Sequence, residues 1–295
     1  MTDLPPEPSR GEAVHAIPPP RILPVSAPET LLPKSDPPLR EVEIRGARLT
    51  YTDEGDPSAP AFIAIHGIPG SVKDFRYLAP PMAPFARVVR IDLPGSGGSA
   101  PRLDALRNME VRGETILALA DHLGLPEFGL IGHSMGAGTA LVTASMAPQR
   151  VPRLALIAPM GLRRHRGLPR SNRAFRLLAA MLRVPGLRDV FMPALRASYR
   201  KSRFPRGDEM TAAEYAIQFE AFSAADFSLM TRAVQRPLPS RSLVALADDD
   251  HLVQPEIPLE LAQAIPGARV LRFQDGGHII QKTKAPEIAA AIATL

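Results

Sequence analysis

The chain lacks cysteine and tryptophan altogether, and it has no long apolar run. Without cysteine it can form neither a disulfide nor a thiolate nucleophile, and the cysteine count therefore identifies no cellular compartment. The first residues, Met1 to Pro6, do not combine a basic segment with an apolar one, so we predict no secretory signal. No stretch approaches the roughly 18 to 20 apolar residues that a transmembrane helix requires. We therefore expect a soluble, cytoplasmic protein.

A large excess of charge of one sign is also missing. The chain has 35 Lys and Arg against 30 Asp and Glu, which leaves a formal net charge of +5 over 295 residues. Because this surplus is small and no nucleic-acid recognition motif accompanies it, we predict no nucleic-acid partner. Hydrophobic residues make up 45% of the chain, which is enough for one large domain or for a core with an insertion.

Proline is abundant and is concentrated at the start of the chain. Residues 1–40 contain eleven prolines, including the runs Pro18-Pro19-Pro20 and Pro37-Pro38. Proline fixes φ and has no N–H, so such a segment cannot form a helix or an interior strand. We predict that residues 1–40 are a disordered or extended tail. The alternative interpretation is a polyproline ligand for a partner domain.

After residue 40, short apolar runs alternate with helical patterns. The predicted strands are 42–51 (a hairpin), 61–65, 87–92, 128–131, 153–158, 242–247 and 268–273. The predicted helices are 115–123, 135–146 and 285–295. Such alternation is typical of an α/β fold with a mostly parallel central sheet flanked by helices. We predict that residues 41–160 and 236–295 form this core.

The alternation stops between residues 161 and 235, a segment called the insertion below. Its patterns predict helices without strands, so we expect a helical lid on the core. The helices are expected to break at four prolines: Pro169, Pro185, Pro193 and Pro205.

One pentapeptide has the residues that a nucleophile turn needs. Gly132-His133-Ser134-Met135-Gly136 lies between a predicted buried strand and a predicted helix. A hydroxyl held on such a turn stands clear of the sheet, at a helix N-terminus whose N–H groups can stabilise an oxyanion. The sharp turn crowds the backbone, so small residues are needed two before and two after the serine. We predict Ser134 as a nucleophile, supported by Gly132 and Gly136.

Several motifs together resemble the α/β-hydrolase superfamily, in particular its esterase and proline-iminopeptidase-like branches. The run His66-Gly67-Ile68-Pro69-Gly70-Ser71 resembles the family's oxyanion loop after its third strand. The run DLPGSGGS at residues 92–99 resembles the D-x-P-G-x-G-x-S turn after the fourth strand. The resemblance covers about residues 41–160 and 236–295. It implies an α/β-hydrolase fold, a serine hydrolase activity and no metal or organic cofactor.

The same resemblance implies a base and an acid for the serine. The family's chain order is serine, acid, histidine, and His278 follows the last predicted strand, where the family carries its base. The segment after residue 244 resembles the family's acid loop and places the acid at Asp250, with Asp248 as the alternative. Asp249 is expected to be a solvated turn residue. His165 is expected to be solvated and His251 to be structural.

The resemblance also implies two backbone donors for an oxyanion, the N–H groups of Ile68 and Met135. His66 and Gly67 are expected to shape the first of these loops, and His133 to pack beneath the nucleophile turn.

The charge of the insertion has three interpretations. Residues 161–207 contain thirteen Lys and Arg and one acid, Asp189. Phe175, Leu178, Met181 and Leu182 share a helical face, with Arg173, Arg176 and Arg183 elsewhere on the same helix. The charges could be solvated on an ordinary cover, or they could contact an anionic membrane surface. Nucleic-acid binding is disfavoured. Five apolar residues could line an acyl pocket or pack in the core: Met160, Phe219, Phe222, Phe227 and Met230.

The predicted function is hydrolysis of an ester-type bond in a small-molecule substrate, through a Ser134–Asp250–His278 triad and an acyl-enzyme. A serine at position 134 disfavours the dehalogenases and epoxide hydrolases of the superfamily, which use aspartate there. Lipase, thioesterase, lactonase, carbon–carbon bond hydrolase and aminopeptidase activities remain open on the same triad. A non-catalytic scaffold that binds a ligand or partner is the alternative from another class. The oligomeric state does not follow from the sequence.

Overall fold

A single twisted sheet forms the centre of the molecule. The computed structural model describes residues 21–22, 33–168, 171–201 and 210–295. Within these residues nine strands pair in the order β1-β9-β8-β7-β6-β4-β5-β3-β2. Their bounds are β1 Arg21–Ile22, β2 Arg40–Ile44, β3 Ala47–Glu54, β4 Ala61–Ile65, β5 Arg87–Ile91, β6 Gly129–His133, β7 Arg153–Ile157, β8 Arg241–Ala247 and β9 Arg269–Phe273. All pairings are parallel except β2 with β3 and β3 with β5. The predicted α/β fold class is confirmed.

Alternate side chains of the strands enter two cores, one on each face of the sheet. On β4, for example, Ile63 and Ile65 join the larger core, whereas Phe62 and Ala64 join the smaller one. Such strands are buried on both faces, which is why the sequence shows them as continuous apolar runs. The helices outside the insertion are α1 Ala79–Met82, α2 Leu103–Arg107, α3 Met109–His122, α4 Met135–Met146, α9 Glu256–Ala264, α10 Ile280–Thr283 and α11 Ala285–Ala293.

The insertion adds a third, smaller core beside the sheet. Its helices in the described residues are α5 Asn172–Leu182, α6 Leu187–Lys201, α7 Ala212–Phe222 and α8 Phe227–Val234. Phe175 of α5 stacks on Phe219 and Phe222 of α7, with ring centroids 5.9 and 5.1 Å apart. None of the helices in the described part of the chain is both long and apolar enough to cross a membrane.

One predicted helix break is wrong. The chain does change direction at Pro185, between α5 and α6, but α6 continues through Pro193. A proline inside a helix removes the one N–H that would bond to the residue four before it, here the carbonyl of Asp189, and costs about 3 kcal/mol. Tyr199, later in α6, is buried against Tyr215, and this packing opposes the cost. Pro169 and Pro205 lie outside the described residues.

Part of the predicted disordered tail is ordered on the core. Residues 21–22 pair with β9 at one edge of the sheet, and residues 33–39 lead into β2 at the other edge. The N–H of Ser35 donates to the carbonyl of Arg76 at 2.8 Å, and the guanidinium of Arg90 donates to the carbonyl of Ser35 at 3.3 Å. These tertiary hydrogen bonds hold the proline-rich segment on the core, although it forms no helix or strand there. The rest of residues 1–32 lies outside the described residues.

A buried carboxylate joins the insertion to the core. Glu220 of α7, whose side chain is 1% exposed, accepts two hydrogen bonds from Arg107 of α2 and one from Arg183 at the end of α5. Burial raises the pKa of Glu220, but the hydrogen bonds and charges of the two arginines outweigh it and leave the pKa below its usual value. Arg112 of α3 is buried and donates to the carbonyl of Ala221 at 3.0 Å. The end of α7 is therefore fixed to the core by charge-assisted bonds.

Candidate active site

Ser134 lies on a sharp turn between β6 and α4. It has φ 54° and ψ −117°, a conformation that non-glycine residues rarely adopt. A Cβ at Gly136 would lie 2.3 Å from the carbonyl oxygens of Ile65 and His66, and one at Gly132 would lie 2.5 Å from Cα of Ala137. Glycine is therefore required at both positions, because backbone fills the space that a side chain would need.

The carboxyl ends of the parallel strands bring three predicted side chains together. Ser134 follows β6, Asp250 follows β8 and His278 follows β9. Nε2 of His278 lies 2.9 Å from Oγ of Ser134, and Nδ1 lies 2.7 Å from Oδ2 of Asp250. His278 and Asp250 are 6% and 3% exposed, while Ser134 is half-buried. In this arrangement His278 can accept a proton from the serine hydroxyl, while the carboxylate of Asp250 holds the imidazole in one tautomer.

Asp250 is positioned by the backbone as well as by the histidine. Its Oδ1 accepts hydrogen bonds from the N–H groups of Leu252 and Val253, at 2.8 and 3.0 Å. Burial raises the pKa of Asp250, but the bonds from His278 and from these two amides outweigh it, so the pKa lies below its usual value. The alternative acid, Asp248, instead pairs with Arg272 at 2.8 Å.

The third aspartate of the loop is more than a solvated turn residue. Asp249 accepts hydrogen bonds from the N–H groups of Gly276 and Gly277, at 3.2 and 2.8 Å. It thereby joins the loop of Asp250 to the loop of His278. The sequence pointed only to a run of three aspartates, and the contact that distinguishes Asp249 is tertiary.

The start of the insertion is bonded to the acid loop, which corrects a second expectation. His165 is half-buried rather than solvated, and its Nδ1 lies 3.0 Å from the carbonyl of Leu252. Burial lowers its pKa. The guanidinium of Arg166 donates to the carbonyl of Asp250 at 2.7 Å. His251, expected to be structural, is exposed. The basic run therefore contributes to the position of the carboxylate.

Two backbone amides lie close to Ser134 along the chain or in space. Met135 is the first residue of α4, so its N–H has no acceptor within the helix. Ile68 follows Gly67, whose Cα is so close to the turn that an added Cβ would lie 3.2 Å from Cβ of Ser134. Neither N–H has a hydrogen-bond acceptor among the residues that the structure describes. Both are available to a ligand.

Two further histidines shape the site as neutral groups. Nδ1 of His66 lies 2.6 Å from the carbonyl of Gly67, and Nε2 accepts the N–H of Leu93 at 3.0 Å. His133 lies beneath the turn, with Nε2 2.9 Å from the carbonyl of His278. Burial, together with the nearby imidazole of His278, lowers the pKa of His133 to about 3. His133 therefore stays uncharged and does not compete as a base.

The comparisons with known proteins agree with this geometry. A family model described as the alpha/beta hydrolase fold matches residues 60–285. The chain belongs to the α/β-hydrolase fold family.

Individual relatives of the chain are distant. The dihydrolipoyllysine-residue acetyltransferase component of the acetoin cleaving system of Pseudomonas putida is 28% identical over 84% of this chain, which spans 66% of that relative's length. The 2-hydroxymuconate semialdehyde hydrolase of a Pseudomonas species is 27% identical, over 86% of this chain and 92% of that one. The crystal structure of the enol-lactonase from Burkholderia xenovorans superposes with a TM-score of 0.69 at 24% identity, over 86% of this chain and 98% of that one. This last likeness shows the fold alone.

Asp92, after β5, braces the loops of this α/β-hydrolase site. Its buried carboxylate accepts hydrogen bonds from the N–H of Val72 at 2.7 Å, from Oγ1 of Thr50 at 2.6 Å and from the N–H of Gly98 at 3.0 Å. The run DLPGSGGS begins at Asp92, but the sequence alone did not predict a role for this residue. The signal was the motif itself, since only a buried acceptor explains an aspartate directly after a buried strand.

The α/β-hydrolase cleft in front of Ser134 has a volume of about 600 Å³ and a lining of both apolar and polar groups. Charged side chains contribute to its walls: Lys73, Asp74, Arg76, Glu214 and Lys282. From the insertion, Met210 and two residues of α7 line it. The five apolar residues considered for an acyl pocket are absent from this lining. Met160, Phe219 and Met230 are buried in the cores, and Phe222 and Phe227 pack against them.

Asp74 stands out among the cleft residues because its carboxyl is enclosed. A Cβ at Gly70 would lie 2.5 Å from Oδ2 of Asp74 and 2.8 Å from Nδ1 of His66, so these groups surround one point. Burial raises the pKa of Asp74 to about 7, against the opposing effect of backbone hydrogen bonds. Near neutral pH this side chain is therefore partly uncharged. Within the described residues, no group of three or more His, Asp or Glu is placed to hold a metal ion.

Proposed function

We propose that the protein is a serine hydrolase that cleaves an ester-type bond through a covalent acyl-enzyme on Ser134. The observation that carries the proposal is the hydrogen-bonded chain from Oγ of Ser134 through His278 to Asp250, at 2.9 and 2.7 Å. These distances already allow proton transfer and orientation without movement of the side chains. In this arrangement Ser134 can act as the nucleophile, His278 as the base and Asp250 as the acid that orients the base.

In the first half of the proposed reaction, Oγ of Ser134 attacks the carbonyl carbon of the ester and its proton passes to Nε2 of His278. The carbonyl oxygen becomes an oxyanion, which the N–H groups of Ile68 and Met135 stabilise. Asp250 keeps Nδ1–H of the imidazole directed at itself and stabilises the imidazolium. The bond to the leaving alkoxide then breaks, and the alkoxide takes the proton from Nε2 and departs as an alcohol.

In the second half, a water molecule replaces the alcohol. Nε2 of His278 removes a proton from the water as its oxygen attacks the acyl carbon, and the same two amides hold the second oxyanion. The bond from Oγ of Ser134 to the acyl carbon breaks, and Oγ recovers the proton from Nε2. The carboxylic acid leaves and the free enzyme is restored. His133 stays neutral throughout and donates to the carbonyl of His278, which fixes the position of the base.

The lining of the cleft supports a small or polar substrate. Charged groups from the core and from α7 contribute to its walls, whereas the five apolar residues considered for an acyl pocket pack in the cores. Long apolar acyl chains would have to remove water from these charges without replacing it, which is costly. We therefore expect short-chain esters to be better substrates than long-chain ones.

A second candidate reaction is hydrolysis of a carbon–carbon bond beside a carbonyl group. The similarity to 2-hydroxymuconate semialdehyde hydrolase extends over 92% of that protein and supports this candidate. The cations Lys73, Arg76 and Lys282 on the cleft walls would suit a substrate that carries a carboxylate. Comparing a 2-hydroxy-6-oxo-dienoic acid with p-nitrophenyl esters at equal concentration separates the two reactions. A kcat/KM for the dienoic acid at least about 100-fold higher would assign the chain to carbon–carbon hydrolysis.

Turnover of p-nitrophenyl esters of graded acyl length tests the proposal. Ser134→Ala is expected to lower kcat by about 10⁴-fold or more, because only the attacking oxygen is removed. Asp250→Asn is expected to lower it by several orders of magnitude, since an amide facing Nδ1 of His278 favours the wrong tautomer. The matched control is Asp248→Asn, which should cost less than about tenfold because Asp248 pairs with Arg272 instead.

Two results would contradict the proposed function. If Ser134→Ala keeps more than about 1% of the wild-type kcat, Ser134 is not the nucleophile. If the wild type hydrolyses no ester and a fluorophosphonate does not label Ser134, the scaffold that binds without catalysis is the better description.

A further inference from the structure

The outer side of the insertion exposes a group of aliphatic side chains. Six large hydrophobic residues are strongly exposed in the described part of the chain, and four of them lie on α5, on α6 or between these two helices. These four, called the outer patch, are Leu177, Val184, Leu187 and Val190, which are 62%, 46%, 43% and 72% exposed. A concentration of this kind on a small surface indicates a binding site rather than the ordinary scatter of surface aliphatics.

The residues of the outer patch on α6 follow helical spacing, so they lie on one face of that helix. On α6, Leu187, Val190, Ala194 and Ala197 are spaced three and four residues apart and all are exposed. The opposite side of α6 faces inward, where Phe191, Leu195 and Tyr199 pack on the third core. The helix therefore has two apolar faces, and only one of them has a partner within the described residues.

The charge around the patch is strongly positive. Residues 171–200 contain six arginines and a single acid, Asp189, so their net charge of +5 equals that of the whole chain. Asp189 is 3.5 Å from Arg188. Arg173, Arg196 and Arg200 form no ion pair within the part of the chain that the structure describes. The exposed aliphatics therefore lie within a strongly basic stretch of the chain.

Three of the arginines line a groove on another face of α6 than the patch. Arg188, Arg196 and Arg200 of α6 face an open groove of about 610 Å³ together with Thr211 and Ala212 at the start of α7. Guanidinium groups bind phosphate in a forked, bidentate geometry, so a groove of this kind has the right donors for a phosphodiester headgroup.

We propose that the outer patch and its arginines dock the protein on an anionic lipid surface. Aliphatic side chains next to arginines are the composition of helices that lie in a membrane interface, with the apolar side chains in the acyl boundary and the cations at the headgroups. A second copy of the chain is a poor occupant, because two patches of the same positive charge would repel. A nucleic acid would use the arginines but would leave the aliphatic residues without a role, since bases stack on aromatic side chains.

The aliphatic residues of the patch lie apart from the cleft. The patch lies on α5 and α6, α5 packs on α7, and only the far side of α7 lines the cleft through Glu214 and Gln218. Residues of the patch are absent from the lining of the cleft. The arginine groove lies closer, because its Thr211 is hydrogen-bonded to Glu214 of the cleft wall at 2.7 Å. The docking proposal does not rest on the reaction proposed at Ser134.

Co-sedimentation of the full chain with sucrose-loaded vesicles tests the proposal. Vesicles of phosphatidylcholine with 30% phosphatidylglycerol should bind the protein at about 50 mM salt, and binding should fall steeply towards 500 mM as the charges are screened. Pure phosphatidylcholine should bind at least about tenfold more weakly. Arg188→Gln with Arg196→Gln should weaken binding about 25-fold, at about fivefold for each charge lost near the surface. Leu187→Ser with Val190→Ser should weaken it at least about tenfold.

Two control variants match these changes elsewhere on the surface. Arg232→Gln with Arg236→Gln removes the same charge from α8 and its end, and Leu103→Ser removes an aliphatic residue that is 50% exposed on α2. Both should bind anionic vesicles within about twofold of the wild type, and all variants should keep the wild-type melting temperature.

Three results would overturn the proposal. One is a wild type that ignores anionic vesicles at low salt. Another is patch variants that bind as well as the controls do. The third is a patch that serves another partner: either a dimer that Leu187→Ser with Val190→Ser dissociates, or oligonucleotide binding that only the arginine changes remove.

Discussion

The turn at Ser134 and the corner between α5 and α6 are built in opposite ways. At the turn, backbone touches backbone, and a Cβ at Gly136 would lie 2.3 Å from two carbonyl oxygens of the neighbouring loop. At the corner, Gly186 has φ 83° and nothing within 4 Å of where its Cβ would be. The contrast shows that the candidate active site is fixed by sterics of the main chain, whereas the outer insertion is held by side chains and tolerates change.

Replacing these two glycines by alanine should give the largest difference between the regions. Gly136→Ala forces the start of α4 away from the β4 loop, and a displacement of about 1 Å at reacting groups can cost about 100-fold in rate. Gly186→Ala should cost only about 1–2 kcal/mol of folding free energy, the strain of a left-handed alanine, and leave kcat unchanged. Ester turnover measures the loss of activity in both variants, and thermal unfolding measures their loss of stability.

Equal loss of activity in the two variants would contradict the distinction. So would a Gly136→Ala enzyme with the wild-type kcat, because the neighbouring carbonyls would then have room to move.

A change at Glu220, which joins the insertion to the core, should reduce the free energy of unfolding by an intermediate amount. Glu220→Gln keeps the shape of the side chain but replaces a buried carboxylate that accepts from Arg107 and Arg183, so we expect a loss of about 1–3 kcal/mol. Because the pKa of Glu220 is lowered in the fold, this contribution is present above about pH 4.5 and is lost as the pH falls through the lowered pKa. Urea unfolding at pH 7 and pH 4 checks both parts.

An exposed pair provides the matched control for this change. Glu260 accepts two hydrogen bonds from Arg163 at 2.6 and 2.7 Å, but its side chain is 41% exposed. Glu260→Gln should cost less than about 1 kcal/mol. A loss at Glu260 as large as at Glu220 would mean that burial of the joining carboxylate does not matter.

A further prediction concerns the pH dependence of stability at the cleft. The pKa of Asp74 is raised from 3.8 to about 7, so between these values the folded state binds a proton that the unfolded state does not. Asp74 therefore contributes a decrease in stability as the pH rises from about 4 to 7. Asp74→Asn should remove that slope and should be neutral or stabilising at pH 8. An unchanged slope of the unfolding free energy with pH would show that Asp74 titrates as an ordinary aspartate.

The two regions also differ in how well the sequence predicts them. Strands such as Ala61–Ile65 were predictable because both of their faces are buried, and the turn at Ser134 because its glycines have a steric cause. The pairing of His278 with Asp250 was implied by the resemblance to the α/β-hydrolase family, whose chain order is serine, acid, histidine. In these places local pattern and tertiary structure impose the same requirement.

Predictions failed where only tertiary contacts decide the outcome. A basic run cannot show that His165 bonds to the carbonyl of Leu252, and a proline-rich segment cannot show that Ser35 bonds to Arg76. Helical periodicity identified the inner face of α5 through Phe175, but it could not indicate whether Phe219 faces the cleft or the third core. In the insertion, several faces are apolar, and the pattern alone does not assign a partner to each.

The most direct test of the central claim is covalent labelling of the purified protein with a fluorophosphonate, read by intact mass and by peptide mapping. The account predicts one label per chain, on the peptide that contains Ser134, with no label in Ser134→Ala and labelling slowed by orders of magnitude in Asp250→Asn. A Ser134→Ala protein that is labelled as fast as the wild type, or a wild type labelled at another residue, would contradict the assignment of Ser134 as the nucleophile.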